Sequence, residues 1–437
     1  MDAVFLSRIQ FGVAAGFHFL FPPLTLGLTL IIFILETLYF KKSSEIYKET
    51  STFLIRILAL IFTVGVATGI VLEFSFGTNW ADYSRMVGDI FGAPLAAEAL
   101  FSFFLESTFL ALLLFGRSRI SKKAYLVAAF LVFFASHLSG LWIIIANSWM
   151  QTPAGFEIVN GRAVLTDFFA AAFNPSTCVR YVHTVLASWT TSALFVSGIS
   201  AWFLLRKRNE NIFRPLLKLV LVIFVITALL QFASGHMHIK QVSETQPAKL
   251  ASFEALWKTE QGAPFSLIGI PNESKQTTSL ELSIPKLLSF LLKSDLNAEI
   301  TGLDKFSKEE RPPLLPTYFS YRLMIILGFL FAAIAVISLV LIARKKLFDT
   351  VWFLKVLLIA SPLPLAACEA GWLAAEIGRQ PWAVYGVLKT AAAGSPAVPA
   401  WQILLSLILF TLIYLLLVVV CFKIFVNIIK KGPGAGH

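Results

Sequence analysis

Charged residues make up only 14% of this 437-residue chain, against 57% hydrophobic, and the mean hydropathy is +0.78. A soluble domain carries about a quarter charged residues, so a water-soluble globular chain is excluded. Cysteine is nearly absent: Cys178, Cys368 and Cys421 stand far apart, which leaves neither a disulfide framework nor a metal-ligand spacing. No solenoid period and no inverted repeat is evident. A cleavable leader is not expected either, because Met1 to Gln10 is mildly polar and the apolar run after it is too long for a signal core. Acidic residues are outnumbered 25 to 36, giving a net charge of +11. In a chain this apolar, excess lysine and arginine set topology rather than bind nucleic acid.

What is there is a series of apolar runs, each near the 20 or so residues that a helix needs to cross a bilayer. Nine are expected, at 11–39, 53–75, 93–115, 124–147, 179–205, 215–236, 321–343, 351–375 and 400–427. The fold class is therefore all-α and polytopic. Basic clusters flank alternate spans: Lys41 and Lys42; Arg117, Arg119, Lys122 and Lys123; Arg206, Lys207 and Arg208; Arg344, Lys345 and Lys346; Lys430 and Lys431. All fall on one side, which the positive-inside rule makes cytoplasmic, with the N-terminus outside and the C-terminus inside. The chain then divides into three regions: helices 1–6 over 1–236, an outer-face loop over 237–320, and helices 7–9 with a short tail over 321–437. A short helix is expected after Pro247, and 272–313, rich in Ser, Lys and Glu, reads as flexible or partly ordered.

Ionisable groups inside apolar spans are costly, so each is a candidate site residue. Glu369 and Glu376 are seven residues apart, which puts them within about 20° of one helix face and about 10 Å apart. Glu98 and Glu106 are eight apart, about 80° round the helix and about 12 Å in depth, so they suit a relay through Ser107 and water rather than one site. Ser139 and Asn147 extend such a path or serve as helix glue. By depth, His18, Glu98, His183, Met324 and Glu376 converge on one layer near the outer surface. A lone buried histidine is as often structural as a ligand, and a methionine is most often core filler. An imidazole paired with a thioether is nevertheless the axial set of a low-spin haem, and His183 and Met324 supply it at matching depth. Arg322 and Arg379 suit propionates or carboxylates as bidentate partners. Lys249 and Glu254 suit the two oxygens of a quinol, or lie on a solvated helix face.

The stretches SRIQFGVAAGFHFLFPPLTLG, GVATGIVLEFSFGTNW, VGDIFGAPLAAEALFSFFLEST, LSGLWIIIANSWMQTP, RYVHTVLASW, TQPAKLASFEALW, FSYRLM and EAGWLAAEIGRQPW resemble subunit I of the cytochrome bd family of quinol oxidases, from residue 7 to about 382. The large loop resembles that family's short-loop type. The resemblance implies haems held between helices near the outer face: a low-spin haem b on His183 and Met324, and a high-spin haem b and haem d, or haem b in its place, on His18 and Glu376. It implies an acid beside the oxygen-reducing haem at Glu98, a proton path through Glu106, Ser107 and Ser139, quinol binding at Lys249 and Glu254, and packing around the haems by Arg322, Trp372 and Arg379. The activity implied is oxidation of ubiquinol or menaquinol at the outer face and reduction of O₂ to water, without pumping. The implied setting is the bacterial cytoplasmic (inner) membrane, beside a second membrane subunit and a small single-span subunit. A haem-free secondary transporter, using the four intramembrane glutamates as an ion path, is the rival that spans and composition leave standing.

Overall fold

The computed structural model describes residues 2–434. Nine stretches among them are long and apolar enough to cross a membrane. In chain order the helices are α1 (Ala3–Phe19), α2 (Pro22–Lys42), α3 (Glu45–Thr78), α4 (Ala81–Ala97), a π-helical turn (Glu98–Phe103), α5 (Phe104–Phe115), α6 (Lys122–Gln151), α7 (Phe168–Ala172), α8 (Thr177–Leu205), α9 (Glu210–Thr245), α10 (Pro247–Glu254), α11 (Leu287–Lys293), α12 (Leu314–Ala343), α13 (Val351–Ala360), α14 (Leu363–Ile377) and α15 (Ala400–Lys431). The strands form four antiparallel two-stranded pairs: β1 (Phe156–Val159) with β2 (Arg162–Leu165), β3 (Glu260–Gln261) with β6 (Glu299–Ile300), β4 (Phe265–Asn272) with β5 (Thr277–Ile284), and β7 (Trp382–Val384) with β8 (Leu388–Lys389).

Several boundaries differ from the sequence expectation, each for a local reason. The first span is two helices, broken at Leu20 and Phe21, because Pro22 and Pro23 can start a helix but cannot donate into a preceding turn. The third span starts at Ala81, so most of the loop expected over 76–92 is helical. The loop boundaries expected at 236/237 and 320/321 fall inside helices: α9 runs on to Thr245 before Pro247 stops it, and α12 begins at Leu314 directly after a proline pair. The segment 272–313, expected to be flexible, carries β5, α11, β6 and two 3₁₀ turns. Its composition is polar, but Thr277–Ile284 (TTSLELSI) is rich in residues that suit a strand, and a count of polar residues hides that.

At one end of the bundle the basic clusters meet. Arg208 donates to the Lys430 carbonyl (3.1 Å), Lys122 to the Ser43 hydroxyl (3.3 Å), and Arg117 pairs with buried Glu36 (2.5 Å). The loops gather at the opposite end, where the amide of Tyr83 donates to Ala393 and that of Tyr385 to Met150. Helix α8 lies at the centre. A Cβ on Gly27 would collide with Ser192, and one on Gly198 with Ser361. Small residues at these crossings let backbones approach where no hydrophobic effect drives helices together. The last span closes on the first: Phe17 stacks on Tyr414 (4.5 Å between ring centroids), and Gln10 donates to the Ser406 hydroxyl (3.1 Å) while accepting from Asn79 (2.8 Å).

Candidate functional site

His18 ends α1, just before the break that the prolines impose. Its Nδ1 lies 3.0 Å from the Thr68 hydroxyl, and that hydroxyl donates to the Val64 carbonyl. The histidine therefore donates from Nδ1, and Nε2 keeps its lone pair. Gly69 faces the ring: a Cβ there would stand 3.1 Å from Cε1. His183, on α8, repeats the device. Its Nδ1 lies 3.0 Å from the Ser234 hydroxyl, which donates to the Gln231 carbonyl. Nε2 meets the Gln231 side-chain amide (3.1 Å), and Gly235 gives the ring room. Met324 lies across from α14, its sulfur 2.9 Å from where a Cβ of Gly371 would stand. Trp372 and Glu369 lie 3.5 and 3.6 Å from where a Cβ of Gly16 would stand, so α14 packs on α1 as well as on α12.

The two acids of the third span do not sit as an unbroken α-helix would place them. Between α4 and α5 the helix widens to the π-turn Glu98–Phe103. One extra residue in a turn rotates the residues beyond it back by about 100°, so the expected separation of about 80° becomes about 20°. Both acids meet α6: Ser139 donates to Glu98 (2.8 Å) and Ser136 to Glu106 (2.6 Å). Ser107 instead donates to its own helix at the Phe103 carbonyl (2.8 Å).

Glu376, in the last turn of α14, is held by protein groups at both oxygens. Arg379 donates to Oε2 (2.5 Å); Asn147 (3.0 Å) and Gln151 (3.3 Å) donate to Oε1. Arg180 donates to Asn147, and Lys249 donates to Gln151 (2.9 Å) and Gln246 (3.0 Å). The Lys249 stem crosses Gly378, where a Cβ would stand 2.9 Å from its Cγ. Lys249 is 3% exposed. Burial, with Arg180 nearby, takes its ammonium well below the usual lysine range, against the pull of Glu376. Three basic side chains thus surround one carboxylate. Arg379 Nε and Nη1 and Arg180 Nε are buried without a partner among the described residues. Buried cationic donors in that state fit an anionic ligand.

Glu254 forms a second centre. Arg322 donates to its Oε2 (2.5 Å) and to the Phe253 carbonyl (2.9 Å); the Ser266 amide also donates to Oε2 (3.3 Å). Phe265, Tyr318 and Tyr321 ring the guanidinium at 5.0 to 5.4 Å. Burial raises the Glu254 carboxyl, and the Arg322 charge opposes that rise. Glu254 Oε1 has no partner among the described residues. Lys249 and Glu254 are not brought together: five residues on a helix turn about 140° from one face to the other.

Beside the residues named from the sequence stand partners that it did not single out: Arg180, Gln151 and Ser136. Arg180 lies three residues before His183, and Gln151 four after Asn147, so helix-face spacing to a named residue was the available signal. His137, not singled out, is fully satisfied between the Phe133 carbonyl (2.7 Å) and Trp189 (2.9 Å) and plays a packing part.

The family profile described as cytochrome bd terminal oxidase subunit I matches residues 6–433. The chain is 39% identical to the cytochrome bd ubiquinol oxidase subunit 1 of Bacillus subtilis, over 99% of this chain and 94% of that one. It is 36% identical to the cytochrome bd-II ubiquinol oxidase subunit 1 of Escherichia coli, over 99% and 98%. Its fold matches the bd oxidase of Geobacillus thermodenitrificans with a TM-score of 0.93 and 30% identity, over 99% of both chains.

Proposed function

The chain belongs to the cytochrome bd terminal oxidase subunit I family, and on that premise we propose that it oxidises ubiquinol or menaquinol at the loop end and reduces O₂ to water, separating charge without a pumping step. It works in the bacterial cytoplasmic membrane with the second oxidase subunit and a small single-span peptide. The basic end is cytoplasmic, so the N-terminus lies outside and the C-terminus inside.

The donors present fit three haems. His183 and Met324 suit a low-spin haem b; His18 and Glu376 suit a high-spin haem b and haem d, or haem b in its place. When bound, these groups supply electron transfer and oxygen activation. The observation that supports the reading is the pair of histidines whose Nδ1 is tied to a hydroxyl, which leaves Nε2 unprotonated in both, that of His183 accepting from the Gln231 side-chain amide. Thr68 and Ser234 orient the two rings. Arg180 and Arg379 offer their unpartnered nitrogens to propionates. Trp372 packs between α14 and α1. Glu106 with Ser136 and Glu98 with Ser139 make two stages of a proton path from the basic end, with Ser107 off the line. Glu254 accepts a quinol proton at its free Oε1, anchored by Arg322 at Oε2. Lys249 ties the loop to the Glu376 cluster.

The test is a dithionite-reduced minus air-oxidised spectrum of the purified complex, with acid extraction of its haems. A far-red chlorin band beside b-type bands is expected. Only b-type bands, at three haems per chain, move the enzyme to a haem-b-only form. No haem at all overturns the reading in favour of an ion transporter.

A further inference from the structure

The β4–β5 hairpin has two unlike sides. The inner side packs on the bundle. The buried Ser266 hydroxyl lies 3.1 Å from Tyr318 Oη, Trp257 donates to Thr278 (3.1 Å), and a Cβ on Gly269 would stand 3.2 Å from Tyr318 Oη. On the other side Ile268, Ile270, Leu280, Leu282 and Ile284 are 42% to 82% exposed. Bulges interrupt the register around Leu267 and Gly269, and Leu280 sits at φ +50°, a left-handed conformation that leucine rarely adopts. Local strain is thus kept where it holds the hairpin's most exposed aliphatic outward. In water such a cluster on a two-stranded edge invites aggregation.

The hairpin's depth says what covers that side. Its anchor, Tyr318, stands on α12 about 8 Å along the axis from Leu323. Leu315, Phe319, Leu323 and Ile326 form an exposed apolar stripe on α12, so the lipid-facing surface of the span begins at the level where the hairpin docks. Glu273 and Lys275 lie at the turn, a charge placement suited to headgroups.

We propose that the β4–β5 hairpin lies in the loop-side leaflet, with its five aliphatic side chains in the acyl–headgroup boundary, contacting lipid. The hairpin also roofs the Glu254–Arg322 pair, through the Ser266 amide and the Phe265 ring. The outer side of that roof therefore faces the bilayer rather than bulk water. The proposal depends on the chain spanning a membrane and not on the quinol reading.

The test uses the complete complex in lipid nanodiscs. Exposed Cys178 is changed to serine, Leu280→Cys is introduced, and the new thiol carries an environment-sensitive fluorophore; Lys275→Cys at the turn is the control. The Leu280 label is expected to emit to the blue of the Lys275 label. It should lose most of its emission to doxyl-labelled lipid and little to aqueous iodide. Equal iodide quenching at both positions means a solvated hairpin and overturns the proposal. Protection from both quenchers means that a protein subunit covers the hairpin, which overturns it too. Leu282→Cys repeats the reading where Leu280→Cys does not assemble.

Discussion

Glu254 and Arg322 form a buried pair in which each side chain sets the other's chemistry. Burial holds the Glu254 carboxyl above its usual range, so the acid limb of quinol oxidation should lie above the ordinary glutamate range. Arg322 counters that rise. Arg322→Gln should therefore move the limb of kcat/KM to still higher pH, while Glu254→Gln should remove it. A pH profile on membranes checks both, and a limb unmoved by Arg322→Gln would take Glu254 out of the proton step. Ser234→Ala should weaken the low-spin haem site about 10–100-fold, as loss of a hydrogen-bonded partner of a ligand does. Titration of the haem-depleted complex with haem reads this, and unchanged affinity would remove Ser234 from the site. The ligand candidates were legible as residue types in costly places. Most of their partners were not, because a sequence shows helix-face spacing only along one helix, and Thr68, Ser234 and Ser136 each act across to another.

At the scale of elements, the π-turn matters most. Inserting one alanine after Phe104, beyond the π-turn, should rotate Glu106 about 100° relative to Glu98, so that the two acids no longer both face α6. Oxygen consumption should then fall by about 10²-fold, the usual contribution of a positioned proton-transfer group, with the His183 low-spin spectrum retained. Stopped-flow turnover beside reduced spectra separates these readouts; full turnover in the insertion variant would mean that the relay does not need that phase. Gly378→Ala should raise the KM for quinol by pushing the Lys249 stem off the α14 turn, with the haem bands in place. An unchanged KM would show that the loop tolerates that displacement. Hydropathy made the spans legible because one rule, about twenty apolar residues, governs them all. It could not show the π-turn, which shifts the helical phase without changing the apolar character of the run, or the β4–β5 hairpin, whose strand pattern is short and set in polar sequence.

Over the whole molecule, the alternation of basic clusters correctly grouped sequence-distant segments at one end. Arg180, Arg379 and Lys249 gather round a single carboxylate, so the haem-free protein carries excess buried positive charge. Haem-depleted complex should unfold several degrees lower than the loaded form, since ligands that bind only the native state stabilise it by mass action. Equal melting temperatures of the two forms, measured by light scattering, would mean that the cluster is balanced without its anions.

The meeting of α15 with α1 has a consequence in time. Gln10 enters the bilayer with the first span, yet one of its hydrogen-bonding neighbours, Ser406, lies 396 residues later on α15. For nearly the whole of synthesis that amide and the face of Phe17 wait beside the insertion machinery without their mates. A nascent chain stalled before residue 400 therefore holds its first helix without that hydroxyl and that stacking ring.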